Sequence, residues 1–308
     1  MLVGEHLDQF IKTINAIRHP ETGCIWNLEQ SHASLKRYLL EELYETLDAL
    51  DKVEQAEIQQ KFKQYDFVSK KTSNLTQDLS TGEAFKELQE ELGDLLLQIV
   101  LHSRMAEEKG IFSFEDVAKA CNEKMIKRHP HVFLQEQYGK AENQAQVDKH
   151  WDREKLKEKQ HRESIFSGIP KQLPALASAW LISKKAVKES FEWDEESKLF
   201  AQLNSEIEEL QEIVAEARSA GNDPYKEGFS DLDQKLSAEL EVGDILFTVV
   251  NISRWYRLDP EECLRKTNNK FTKRFNAMMK LAQNQGKKLK DFTITQLEAL
   301  WQEAKLQD

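Results

Sequence analysis

The chain is poor in the residues that break or staple a backbone. Only 6 prolines and 11 glycines occur in 308 residues, and no run of alternating β-branched residues is present, so little remains from which a sheet could be built. The glycines fall in neither GxxxxGK[ST] nor GxGxxG spacing, which excludes the two common loops whose backbone amides cradle phosphate. The three cysteines, Cys24, Cys121 and Cys263, lie far apart without a CxxC pair. That excludes the usual zinc and redox spacings and leads us to expect reduced thiols in a cytoplasm. No stretch has the charged-then-apolar form of a signal peptide or approaches membrane-spanning length, so the expected protein is soluble and cytoplasmic, with no membrane partner. Positive charge is also in deficit, with 43 basic against 54 acidic residues and a formal charge of -11. Such a chain repels a polyanion, which argues against polymeric nucleic acid as a partner.

What the chain does have is Leu, Glu, Lys, Gln and Ala, the good helix formers. Leu35, Leu39, Leu43 and Leu47 recur every fourth residue and predict one buried stripe of an amphipathic helix. Similar stripes run from Leu203 to Val214 and from Ile245 to Ile252. The expected fold class is all-α, and the length allows two domains of ordinary size.

The sequence also repeats itself. "ELGDLLLQIV" from Glu91 returns as "EVGDILFTVV" from Glu241, so that Glu91 and Asp94 match Glu241 and Asp244. Upstream, Glu42 and Glu45 match Glu206 and Glu209. Downstream, "NEKMIKRHP" matches "NNKFTKRFN", which pairs Lys124 with Lys270 and Arg128 with Arg274. Trp26 has a counterpart in Trp193, and Trp151 in Trp301. A charged stretch ending in Gly168, Pro170 and Pro174 separates the copies, which predicts tandem helical-bundle domains at 1–165 and 166–308. Within each copy a polar insertion, around 65–82 and 218–233, parts the two acidic pairs and suggests no chemistry of its own.

Residues three apart share a helix face, so each pair projects together and two adjacent helices would bring four carboxylates to one place. Bare, such a cluster repels itself; a hard divalent cation relieves it, and all-oxygen coordination suits Mg²⁺, with Mn²⁺ as a substitute. Mg²⁺ commonly completes its shell with water and phosphate, which points to a nucleoside triphosphate as ligand. Lys270 with Arg274, and Lys124 with Arg128, could neutralise the phosphates, while Trp301 or Trp151 could stack on a base. A lone ExxE usually marks a solvated helix face, and lone Trp or Lys/Arg pairs are usually structural; two copies in one order carry the inference. A di-iron bundle would need two ExxH pairs within helices. Those present, Glu29/His32 and Glu158/His161, lie before a helix and in the charged stretch. His102 shares the face of Asp94 and Gln98, and a structural hydrogen-bonding role is expected for it.

Through "HPETGCIWN", "EELYETLDA", "EELGDLLLQIV", "NEKMIKRHPHVF", "IPKQLPAL", "EVGDILFTVVN", "NNKFTKRF" and "LWQEAK", the chain resembles the long, two-domain members of the MazG family of nucleoside triphosphate pyrophosphohydrolases along nearly its whole length. The resemblance implies Mg²⁺-dependent cleavage between the α and β phosphates, giving a monophosphate and pyrophosphate, with broad base tolerance and a homodimer of helical bundles. It implies Glu206, Glu209, Glu241 and Asp244 as metal ligands in the second copy, with Lys270, Arg274 and Trp301 on the nucleotide. Glu42, Glu45, Glu91 and Asp94, with Lys124, Arg128 and Trp151, take those parts in the first.

The family's EExxE is intact at Glu41, Glu42 and Glu45, whereas Ser205 replaces its leading Glu in the second copy. That leading Glu is the expected group to orient or deprotonate the attacking water, which assigns Glu41 a catalytic role. Glu212, which a helical wheel places near the direction of Ser205, is the candidate substitute in the second copy. The family's CPWD reads "CIWN" here, with Ile25 and Asn27 departing from it. Ser205 also sustains a rival reading, a nucleotide-binding regulatory or scaffold protein in which one or both sites bind without hydrolysis.

Overall fold

The computed structural model describes residues 3–65, 80–144, 146–147, 150–151 and 164–306. Among these every regular element is helical, and the chain forms two compact units, Met1–Gln160 and His161–Asp308. The first unit contains α1 (Val3–Ile17), α2 (Lys36–Tyr65), α3 (Thr81–Glu107) and α4 (Phe114–Arg128). The second contains α5 (Ala175–Lys188), α6 (Glu196–Ser219), α7 (Leu232–Trp255), α8 (Pro260–Asn284) and α9 (Ile294–Lys305). Short helical turns lie between some of them, at Ile25–Glu29, Pro130–Phe133, Gln135–Tyr138, Pro224–Glu227 and Leu289–Asp291.

Local chemistry sets the helix ends. Ser80 opens α3 with a capping box, its Oγ accepting from the Glu83 amide while the Glu83 carboxylate accepts from the Ser80 amide; Ser113 and Asp116 do the same for α4. Asp231 caps α7, and Asp259 followed by Pro260 at the first helical position caps α8. After α3 the chain reverses through Gly110 at φ 65°; after α7 the same left-handed position is filled by Arg257 at φ 60°, where a Cβ makes the conformation costlier.

Each unit is built on an antiparallel helix pair, α2 against α3 and α6 against α7. In the first, Val53 and Ala56 near the end of α2 meet Ala84 and Leu88 near the start of α3, while Ile14, Leu35, Val100, Leu101 and Met105 form the main core with α1. In the second, Met278 and Ala282 of α8 pack on Leu300 and Ala304 of α9. Ion pairs on two little-exposed arginines tie down the chain: Arg18 holds Glu108 with bonds of 2.9 and 2.8 Å and also donates to the Asn27 carbonyl oxygen. Arg254 holds Glu192 at 2.6 and 2.7 Å and Ser183 at 2.7 Å.

Two expectations are corrected. Leu35 is buried at 1% exposure, but Leu39 and Leu43 on the same predicted stripe are 37% and 42% exposed. Among the described residues of the first unit, no helix buries these two side chains. The insertion at 218–233 is an ordered turn and not a plain polar loop: buried Asn222 donates to the Gly228 carbonyl oxygen at 3.1 Å and accepts from the Ser230 amide at 3.2 Å. The other insertion, at 66–79, and the linker stretch at 152–163, with Glu158 and His161, lie outside the described residues.

Candidate metal and nucleotide site

In the first unit α2 presents Glu42 and α3 presents Glu91 and Asp94, and one carboxylate oxygen from each lies within 4.8 Å of the others. In the second unit the same arrangement gathers Glu206 and Glu209 of α6 with Glu241 of α7. The antiparallel pairing causes this, because it places the second turn of α2 beside the middle of α3, and the middle of α6 beside the middle of α7. Glu45 and Asp244, the fourth acids expected in each set, stand just outside. Their charges still reach it, since Glu45 acts on Glu42 and Glu91, and Asp244 acts on Glu241.

The electrostatics are those of an uncompensated anionic cluster. Burial pushes the Glu42 carboxyl above the usual glutamate range, helped by Asp94 and Glu45 and opposed by a hydrogen bond from Gln98. Glu91 is raised by burial and then by Glu45, Asp94 and Glu42. Glu241 is raised by burial and then by Glu209, Asp244 and Glu206. Glu91 Oε2 is buried without a hydrogen-bond partner. An orphaned carboxylate oxygen among like charges, in a set offering oxygen alone, fits a hard divalent cation.

The remaining sequence candidates are placed as follows. Glu41 is exposed on α2, and its charge acts on both Glu42 and Arg37. Ser205 donates to Glu209, Gln202 donates to Glu206, and Glu212 is exposed farther along α6. Lys270 is exposed and Arg274 half-buried on α8, which packs mainly on α9 and only lightly on α7. Trp301 lies on the α8/α9 core with its ring 5.2 Å from that of Phe271. In the first unit Lys124 is exposed on α4, while Arg128 sits over the Trp151 ring at 5.0 Å, whose edge also meets His129. The basic residues and tryptophans thus belong to elements neighbouring the acid-bearing pairs, and Arg128, Trp151 and Trp301 have contacts of their own.

Residues to which the sequence assigned no part in metal or nucleotide binding also converge here. His32 and His102 face each other with 2.8 Å between their Nδ1 atoms, and Gln98 is buried beside Glu42. His32 precedes α2, so its helical period gives no hint of the partner; for Gln98 the available signal was a polar residue at a core position of α3.

The family model described as "MazG nucleotide pyrophosphohydrolase domain" matches residues 30–133 and again 194–279. The chain is 33% identical over 303 residues to the Thermotoga maritima protein named nucleoside triphosphate pyrophosphohydrolase/pyrophosphatase MazG, covering 98% of this chain and 96% of that one. It is 32% identical over 304 residues to the Escherichia coli K12 nucleoside triphosphate pyrophosphohydrolase, with 98% of each covered. It is also 34% identical over 305 residues to Bacillus subtilis YabN, of which that region is 52%.

Proposed function

Because the chain belongs to the MazG nucleotide pyrophosphohydrolase family, we propose that it hydrolyses nucleoside triphosphates to monophosphates and pyrophosphate at its acid sets, with Mg²⁺ as the resident cation. The observation that carries the placement is the meeting of Glu42, Glu91 and Asp94, and again of Glu206, Glu209 and Glu241, from two helices each. Glu45 and Asp244 complete the sets. A bound divalent cation would supply charge neutralisation for the phosphates and activation of water. Glu41 then takes the proton of the attacking water in the first unit, and Lys124 and Arg128, or Lys270 and Arg274, balance phosphate charge. Trp151 and Trp301 would accept a base only after giving up part of their present ring contacts.

The active form is a homodimer on this reading. Leu39 and Leu43 on α2, with Ile99 on α3, and Leu246 and Val249 on α7 are exposed apolar residues on the helices that carry the acids. A second copy of the chain is the covering surface. No helix among the described residues is long and apolar enough to cross a membrane, and the unpaired Cys24, Cys121 and Cys263 suit a reducing cytoplasm.

A second reading attaches to the second unit alone. Ser205 is engaged with Glu209 and has no carboxylate with which to accept a proton, so that unit would bind nucleotide without cleaving it. The deciding experiment incubates the full chain with each common nucleoside triphosphate and Mg²⁺ and measures pyrophosphate against orthophosphate, with either acid set disabled in turn. Pyrophosphate as first product supports the proposal; orthophosphate alone, or neither, refutes it.

A further inference from the structure

Under the first acid set runs a column of buried polar groups. Gln98 is 4% exposed, and its Oε1 lacks a hydrogen-bond partner although its side chain hydrogen-bonds Glu42. One turn farther along α3, His102 has its Nε2 buried and likewise unpartnered. Its other nitrogen meets His32 Nδ1 at 2.8 Å, with the two ring planes only 7° apart. Three of the buried side-chain atoms without a partner, on Glu91, Gln98 and His102, therefore lie on one face of one helix below one site.

The donors and acceptors can be matched in one way along the column. A carboxylate only accepts, so Gln98 presents its Nε2 to Glu42 and is left with Oε1 as an acceptor. The complementary group one turn away is an N–H on His102 Nε2, the other unpartnered atom of the column, which one bridging water would join to Gln98 Oε1. A neutral His102 protonated at Nε2 has a bare Nδ1, so the proton in the contact between the rings must come from His32 Nδ1. In the second unit the positions matching Gln98 and His102 are Thr248 and Ile252, and isoleucine cannot continue such a chain.

We propose that His32, His102 and Gln98 are positioning residues of the first site, a directed hydrogen-bond column that fixes the orientation of Glu42 and is missing from the second unit. It rests on the reading of Glu42, Glu91 and Asp94 as a cation site. Outer groups of this kind typically change metal affinity by about 10- to 100-fold when removed.

Two measurements on the full chain test it. Imidazole ¹⁵N spectra of the unsubstituted protein should show His102 protonated at Nε2 and His32 at Nδ1; the reverse assignment, or a His102 protonated at Nδ1, overturns the column without any substitution. Calorimetry with Mn²⁺ is then done in a Glu241→Gln/Asp244→Asn background, which leaves only the first set. There Gln98→Leu and His102→Leu should weaken binding by about tenfold or more, whereas His102→Gln, which keeps an N–H near the Nε2 position, should restore most of it. Equal affinities for His102→Leu and His102→Gln would sink the column alone. Absence of Mn²⁺ binding in the background chain itself would sink the cation reading, and the column with it.

Discussion

Ser205 Oγ donates a 3.0 Å hydrogen bond to Glu209 Oε1, one turn along α6. At the equivalent place on α2 stands Glu41, exposed and four residues before Glu45. A hydroxyl that serves a neighbouring carboxylate steadies a cluster but is a poor proton acceptor, whereas a free carboxylate at the rim can accept one. On the second reading proposed above, the first unit would transfer the proton and the second would only bind. With the second set disabled, Glu41→Gln should lower kcat for pyrophosphate release by about 100-fold while leaving Mn²⁺ affinity within a few-fold. With the first set disabled, Ser205→Glu should raise the residual rate. A Glu41→Gln enzyme of full activity would remove Glu41 from the mechanism.

Glu91 and Glu241 occupy equivalent positions in the two sets, each raised by burial and by its acidic neighbours. Exchanging either for glutamine keeps the shape and removes one repelling charge. Glu91→Gln should therefore raise the thermal midpoint of the metal-free chain while abolishing first-site Mn²⁺ binding. Scanning calorimetry with and without Mn²⁺ reads both effects at once, and a lower metal-free midpoint would show that the cluster is stabilised by something other than a cation.

The same shifts fix a pH dependence. Glu42, Glu91 and Glu241 have folded-state values raised above the ordinary glutamate value, so between the ordinary and the raised values the folded chain binds more protons than the unfolded one. Their contribution is favourable below that window and is lost as pH rises through it. Metal-free protein should gain stability from these groups as pH falls from neutral towards the ordinary glutamate value, and added Mg²⁺ should raise the midpoint more at the higher pH, where the acids are ionised. An Mg²⁺ effect equal at both values would contradict the assignment.

The helical class was legible in the sequence because it depends on spacing along one helix, and the same spacing led to the acid candidates: ExxE and ExxD put two carboxylates on one face wherever that helix lies. Which of the four come closest was not legible, since spacing along one helix says nothing of how it meets its neighbour, and Glu45 and Asp244 stand outside their sets. The His32–His102 contact spans 70 residues and joins a turn to a helix, so neither period reveals it. The stripe through Leu39 and Leu43 was read correctly as apolar and wrongly as covered, because periodicity reports that a face needs a partner without saying which chain supplies it.

Arg18 illustrates a group whose importance only packing shows. It is 5% exposed, holds Glu108 through two bonds and also reaches the Asn27 carbonyl oxygen near the exposed Trp26. The guanidinium bond, with further help from the Arg18 and Arg104 charges, draws the Glu108 carboxyl below the usual range. A depressed carboxylate contributes stability above its unfolded value, and that contribution fades as pH falls through the folded one. Arg18→Met should cost about 3 kcal/mol, the low end for breaking a buried pair because Glu108 keeps some contact with water. Urea unfolding at neutral pH measures it, and the loss should shrink in acid; an unchanged midpoint would mean the pair is dispensable.

Leu39 and Leu43 flank Glu42 on neighbouring turns of α2, so a partner that covers them also borders the acid set. Burying two leucines favours association by about 1.5–3 kcal/mol each, and placing a charge there reverses the sign. Leu39→Lys/Leu43→Lys should convert the proposed dimer to monomer in sedimentation at micromolar concentration. The monomer should keep its helix content, because Leu35, Val100 and Met105 form their core within one chain. Its pyrophosphate release should fall with dimer content and recover on raising protein concentration. A wild-type chain that sediments as a monomer, or a substituted one that stays dimeric, would assign the exposed leucines to some other partner.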